Sequence, residues 1–159
     1  MTVSGSGNNR DIDWRWSSFQ QLPVNSLYAV LKLRQEVFVV EQNCVYQDLD
    51  DIDQQSWHLL GVAKNSDKLL AYARLVPPGL KYSEPSIGRV VSSPAARRSG
   101  LGRQLMTEMI AHTAEQYPGA AIRISAQQYL EKFYASLGFK QVSEMYLEDD
   151  IPHIEMLRS

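Results

Sequence analysis

The chain has 159 residues, 44% of them hydrophobic and 21% charged, with a formal net charge of −2. These proportions describe one soluble globular domain long enough to bury a core, and they exclude a dedicated nucleic-acid binder, which carries a strong basic excess. A lone cysteine, Cys44, cannot close an intramolecular disulfide, and no apolar run reaches membrane-spanning length, so the cytoplasm is the default expectation.

Residues 1–10 are polar and rich in glycine, serine and asparagine; they read as a flexible tail and not as a secretory signal, leaving residues 11–159 as a single domain. Trp14, Trp16 and Phe19 alternate with polar positions and predict a strand over 14–19. After Pro23, Asn25 or Ser26 can cap a helix in which Leu27, Leu31, Arg34 and Phe38 recur at helical spacing, running to about Gln42. Residues 43–55 read as a loop carrying Asp48, Asp50, Asp51 and Asp53. Without a central glycine and a closing glutamate it is no calcium loop, which leaves a solvated surface or a funnel for a cationic substrate.

Strand patterns over 57–63 and 69–76 flank the turn-rich Asn65-Ser66-Asp67 and predict a hairpin, followed by a strand from Ser86 to Ser92. Leu101, Leu105, Met109 and Thr113 share a helical face until Tyr117-Pro118-Gly119 stops it. A strand over 121–125 and a short helix marked by Tyr129, Leu130, Phe133, Tyr134 and Leu137, with Gly138 as its cap, come next. Strands over 139–142 and 153–157 complete the chain. The order predicts an α/β fold of α+β type, a mixed sheet with helices on its faces.

The sharpest chemistry lies in residues 87–103, where a strand passes through Ser93-Pro94 into Arg97-Arg98-Ser99-Gly100-Leu101-Gly102-Arg103 and a helix. Backbone N–H groups of a glycine loop at a helix start can face one anion, and the helix dipole favours negative charge there. The stretch therefore reads as a cradle for a phosphate-bearing ligand or as a plain strand-loop-helix joint with a basic surface. It lacks the Lys-Ser/Thr ending of a Walker loop and the glycine spacing of the dinucleotide fingerprint. The scattered histidines and single cysteine give no metal-ligand spacing.

Two motifs in this order, Arg97-x-x-Gly100-x-Gly102 and, about 30 residues on, Phe133-Tyr134-Ala135-Ser136-Leu137-Gly138-Phe139, resemble the GCN5-related N-acetyltransferase (GNAT) superfamily. Residues 33–44, Tyr46-Gln47-Asp48 and Ile151-Pro152-His153-Ile154 are similar to its bacterial ElaA branch, with Val45 where that branch often has proline. The resemblance implies the GNAT acyl-CoA N-acyltransferase fold with a mostly antiparallel central sheet, acetyl-coenzyme A as cosubstrate and no metal. It implies that N–H groups of Arg98, Ser99, Gly100, Leu101, Gly102 and Arg103, in the motif that Arg97 opens, hold the cofactor's pyrophosphate. Val90, Val91 and Ser92 would pair their backbone with the pantetheine arm, one N–H there polarising the thioester oxygen. Gln127 stands where many members place a cofactor-contacting asparagine.

Tyr134 is the expected general acid, protonating the departing sulfur; its spacing to Leu130 and Leu137 fits a core tyrosine equally well. The strand over 86–92 has no carboxylate, so the glutamate base of histone-acetylating members has no counterpart, and Glu41, His58, His153 or a water relay stand as alternatives. Arg34 and Glu36 read as a structural ion pair, and Cys44 as an inert buried thiol. The acidic runs 48–53 and 148–150 suggest a positively charged amine as acceptor, small molecule or peptide. The expected activity is transfer of an acetyl group to a primary amine by direct attack; the alternative is a non-catalytic acyl-CoA-binding sensor or interaction module. Neither nucleic acid nor membrane is an expected partner, and exposed strand edges leave a homodimer open.

Overall fold

A computed structural model describes residues 11–159; the expected tail, residues 1–10, lies outside the described residues. Those residues build β1 (Ile12–Ser18), α1 (Val24–Arg34), β2 (Trp57–Ala63), β3 (Leu69–Val76), β4 (Ser86–Ser92), α2 (Leu101–Gln116), β5 (Ile122–Gln127), α3 (Glu131–Ala135), β6 (Lys140–Gln141), β7 (Tyr146–Glu148) and β8 (Ile151–Arg158). The strands form one sheet in the order β1-β2-β3-β4-β5-β8-β6, with β7 also on β8. Every neighbouring pair is antiparallel except β4 and β5, which α2 connects as a crossover.

Helices cover both faces, so the central strands read as nearly continuous apolar runs. Ala71, Ala73 and Leu75 of β3 point to the face where Leu101, Leu105, Met106 and Met109 of α2 pack, together with Tyr134 and Phe139. Tyr72, one residue out of phase, joins Leu60, Val62 and Val91 under Val30, Leu33 and Val37 from the α1 side. The period-2 alternation of the strands thus assigns each residue to one helix layer or the other.

Local structure departs from the sequence reading at three places. Pro23 precedes α1 directly and no side chain caps it, so neither Asn25 nor Ser26 has that role. The helix also changes pitch at Arg34 and continues as seven residues of π-helix, Gln35–Glu41. Near the C-terminus β7 is an extra strand. After Val142 donates to the Glu155 carbonyl at 2.9 Å, the edge breaks, and the Ser143 hydroxyl accepts the Glu155 N–H at 2.8 Å before Tyr146 pairs with His153.

Candidate active site

The site begins where β4 and β5 part. They share a single parallel pair, Ser86↔Arg123, and diverge beyond it. A bulge in β4 accompanies the split: Tyr72 faces Val91 and Arg74 faces Gly88, so Arg89 and Val90 together oppose Ala73. Arg89 takes φ +51°, a left-handed conformation uncommon for a residue with a side chain. Its outward β4 edge is therefore left without a strand partner from Gly88 onward, and a cleft of about 150 Å³ opens there. Gly88, Arg89 and Val90 form one wall, Ser125, Ala126 and Gln127 the other, and Tyr134 also lines it.

A closed ring of charge holds the bulge. Arg34 donates to Asp48 at 2.9 Å and to Asp53 at 2.7 Å. Arg74 reaches Asp53 and Asp50, both at 2.9 Å, and Arg89 reaches Asp48 at 2.7 Å and Asp50 at 3.3 Å. Each of these carboxylates is shared by two guanidiniums, so three arginines and three aspartates alternate with no net charge. Burial opposes the charge on Asp50, but hydrogen bonds from Arg74 overcome it and hold its carboxyl at about 2; Asp53 is depressed in the same way by Arg34 and Arg74. This corrects two expectations. Asp48, Asp50 and Asp53 are neither a solvated surface nor a funnel, and Arg34 pairs with Asp48 and Asp53 instead of Glu36.

The glycine loop follows β4 directly. Gly100 caps α2 in the left-handed conformation, φ +77°, and Arg98 just before it has φ +67°. A methyl group built on Gly100 or Gly102 would meet nothing within 4 Å, so the loop's surface is bare. Gln104 N–H is the first to turn inward, donating to Gly100 O at 3.2 Å. Among the described residues, the N–H groups of Arg98, Ser99, Gly100, Leu101, Gly102 and Arg103 have no protein acceptor. Six bare donors at the start of a 16-residue helix suit a pyrophosphate. Two of the three arginine side chains are engaged elsewhere: Arg97 forks onto Glu41 at 2.8 and 2.6 Å, and Arg103 donates to Ser136 Oγ at 2.7 Å over the Phe133 ring. Arg103 thereby ties the loop to the helix that carries Tyr134.

Val90 and Gln127 line the cleft, whereas Val91 is buried in the α1 layer and Ser92 is half-buried opposite Ala71. Tyr134 is buried at 7% exposure and edge-on to Phe133 and Phe139, so it is a core residue and a cleft residue at once. Its hydroxyl has no hydrogen-bond partner among the described residues, and burial pushes its pKa up to about 12, keeping it protonated at neutral pH.

Of the three candidate bases, geometry keeps one near the cleft. Glu41 is outside it and gripped by Arg97, whose hydrogen bonds lower its pKa. His58 is fully buried, held by Tyr72 Oη at 2.6 Å and Asp53 O at 2.9 Å, and burial disfavours its charged form. His153 lines the cleft. Its Nδ1 lies 2.7 Å from the Ile151 carbonyl, which only accepts, so Nδ1 carries the proton. Nε2 then faces the Glu148 carboxylate at 3.7 Å. Ser125 Oγ bonds Tyr146 Oη and donates to Glu148 at 3.3 Å, completing a polar wall on β5, β7 and β8. Cys44 also lines the cleft and is half-exposed, not buried. Sequence reasoning missed Tyr46, Lys81, Ser125 and Tyr146. It had one usable signal for the ring, an arginine inside the otherwise apolar Ala71-Tyr72-Ala73-Arg74-Leu75.

A mixed sheet split at its one parallel pair, with a bare glycine loop at the adjoining helix start, is the architecture of acyl-CoA-dependent acyltransferases. The chain belongs to the GNAT acetyltransferase family, whose domain model, "Acetyltransferase (GNAT) domain", matches residues 24–159. It is 45% identical over 147 residues to a UPF0039 protein of Synechocystis, covering 92% of this chain and 95% of that one. It is 42% identical over 149 residues to protein ElaA of Escherichia coli, covering 92% and 96%. The crystal structure of that ElaA superposes with a TM-score of 0.87 over 93% of this chain and 99% of the other. An acyl-CoA N-acyltransferase from Pseudomonas aeruginosa superposes at 0.89, with 44% identity and the same coverage. Among the described residues no helix is long and apolar enough to cross a membrane.

Proposed function

We propose that this protein is an N-acetyltransferase that moves the acetyl group of acetyl-coenzyme A to a primary amine by direct attack in the β4–β5 cleft. The observation that carries the reading is convergence: a bare strand edge, Tyr134 and His153 all line one opening. Acetyl-coenzyme A supplies the activated thioester. The N–H groups of residues 98–103 anchor its pyrophosphate, and the open edge of β4 from Gly88 to Ser92 offers main-chain partners to the extended arm. One such N–H, on the bulge that the charge ring fixes, polarises the thioester carbonyl without reorganising.

His153 takes the proton from the incoming amine at Nε2, and Glu148 beside it stabilises the resulting imidazolium. Tyr134 donates a hydrogen bond to the leaving sulfur. Kept protonated by burial, Tyr134 serves as the general acid for the departing sulfur. The test is thiol release from acetyl-coenzyme A across a panel of amines. The account expects release with at least one amine. Coenzyme A binding with no release for any amine would favour the acyl-CoA-binding module, and no binding would contradict both.

A further inference from the structure

The cleft carries two charges of opposite sign that no neighbour neutralises at contact distance. Glu148 touches only the Ser125 hydroxyl at 3.3 Å and His153 at 3.7 Å, with its side chain 48% exposed. Lys81 also reaches the cleft, from the loop between β3 and β4. Its Nζ lies 5.8 Å from the Tyr82 ring centroid, and it forms no ion pair among the described residues. The other cation at the cleft, Arg89, is spent on Asp48 and Asp50. Lys81 is exposed as a residue, yet crowding of its ammonium lowers its pKa by desolvation, partly offset by Glu148.

An opening meant for a simple cation has no use for an unpaired ammonium, which repels the substrate. An acceptor with charges of both signs satisfies both side chains. We propose that the acceptor is zwitterionic, an amine with a carboxylate a few atoms away as in an amino acid, and that Lys81 is the specificity-determining residue that receives the carboxylate. The amine then faces Glu148 and His153. This inference rests on the acetyl-transfer reading of the same cleft, and it adds the demand for an anionic group.

The test compares L-amino acids with their C-terminal amides, by thiol release from acetyl-coenzyme A and by calorimetric binding to the coenzyme A-loaded protein. A charge-assisted contact predicts about a tenfold preference for the free carboxylate, expressed in KM or Kd. Lys81→Met removes the preference, and Lys81→Glu reverses it towards the amides. Lys81 sits on an exposed loop without an ion pair, so neither change threatens the fold. Equal use of acids and amides, or a preference that survives Lys81→Met, overturns the inference while leaving acetyl transfer intact. A Lys81-dependent preference in binding with no thiol release supports the inference and removes the transfer reading instead.

Discussion

Two acidic segments border the cleft, and their carboxylates are in opposite situations. Asp48, Asp50 and Asp53 are each clasped by two arginines, and Asp48 and Asp53 are buried. Glu148 has no arginine or lysine within salt-bridge distance, and Asp149 lines the opening beside it. The first segment has satisfied its charge internally and so acts as scaffold, fixing a left-handed residue in β4. The second keeps its charge available to a ligand. Carboxylate content says nothing about which is which; the number of guanidiniums within reach decides it.

Cutting the ring should do the most damage. Asp53→Ala leaves two buried guanidiniums short of a partner, which costs roughly 3–5 kcal/mol in urea unfolding. Glu148→Ala, on an exposed side chain, should stay within about 0.5 kcal/mol by the same measurement. Equal losses from the two variants would erase the distinction between the segments. Next in size is Tyr134→Phe. It removes a hydroxyl with no protein partner, so stability should hold while turnover falls roughly 100-fold at unchanged KM for acetyl-coenzyme A.

The ring also predicts a pH dependence. A carboxyl held lower in the folded protein than in the unfolded chain binds its proton more weakly there, so it stabilises the fold above its unfolded pKa and ceases to as pH falls through its folded one. Asp50 drops from 3.8 to about 2, and its share of roughly 2 kcal/mol should disappear between about pH 4 and pH 2. Urea midpoints measured down that range should fall steeply for the native chain and less so for Asp50→Asn. At the small end, Asp51→Asn should change neither acid stability nor turnover, because Asp51 is exposed, outside the ring, and asparagine tolerates its φ of +65°. A clear effect there would mean that net charge, not pairing, matters in this segment.

Much of the layer structure was legible because it rests on periodicity. The apolar runs of β2 and β3 lie in the sheet's interior, and the Leu101-Leu105-Met109 stripe of α2 packs as its spacing requires. The glycine loop was legible as a loop because Gly100 takes the left-handed conformation that glycine favours at the start of α2. The ring was not, since Arg34, Asp48, Arg74 and Arg89 are separated by 14 residues or more at each step and meet only when β3, β4 and the 43–55 loop assemble. For the same reason Glu41, His58 and His153 looked alike as bases. Burial, tautomer and the Arg97 fork separate them, and all three are tertiary facts. Ser125, Tyr146 and Lys81 left no local pattern at all.

Where coenzyme A settles on the chain tests the central claim most directly. Backbone amide shifts followed during a coenzyme A titration should move most at residues 98–103 and along 88–92, with the ring residues 48–53 nearly still. Shifts centred on the ring, or spread over the β1 edge with residues 98–103 unmoved, would contradict the account.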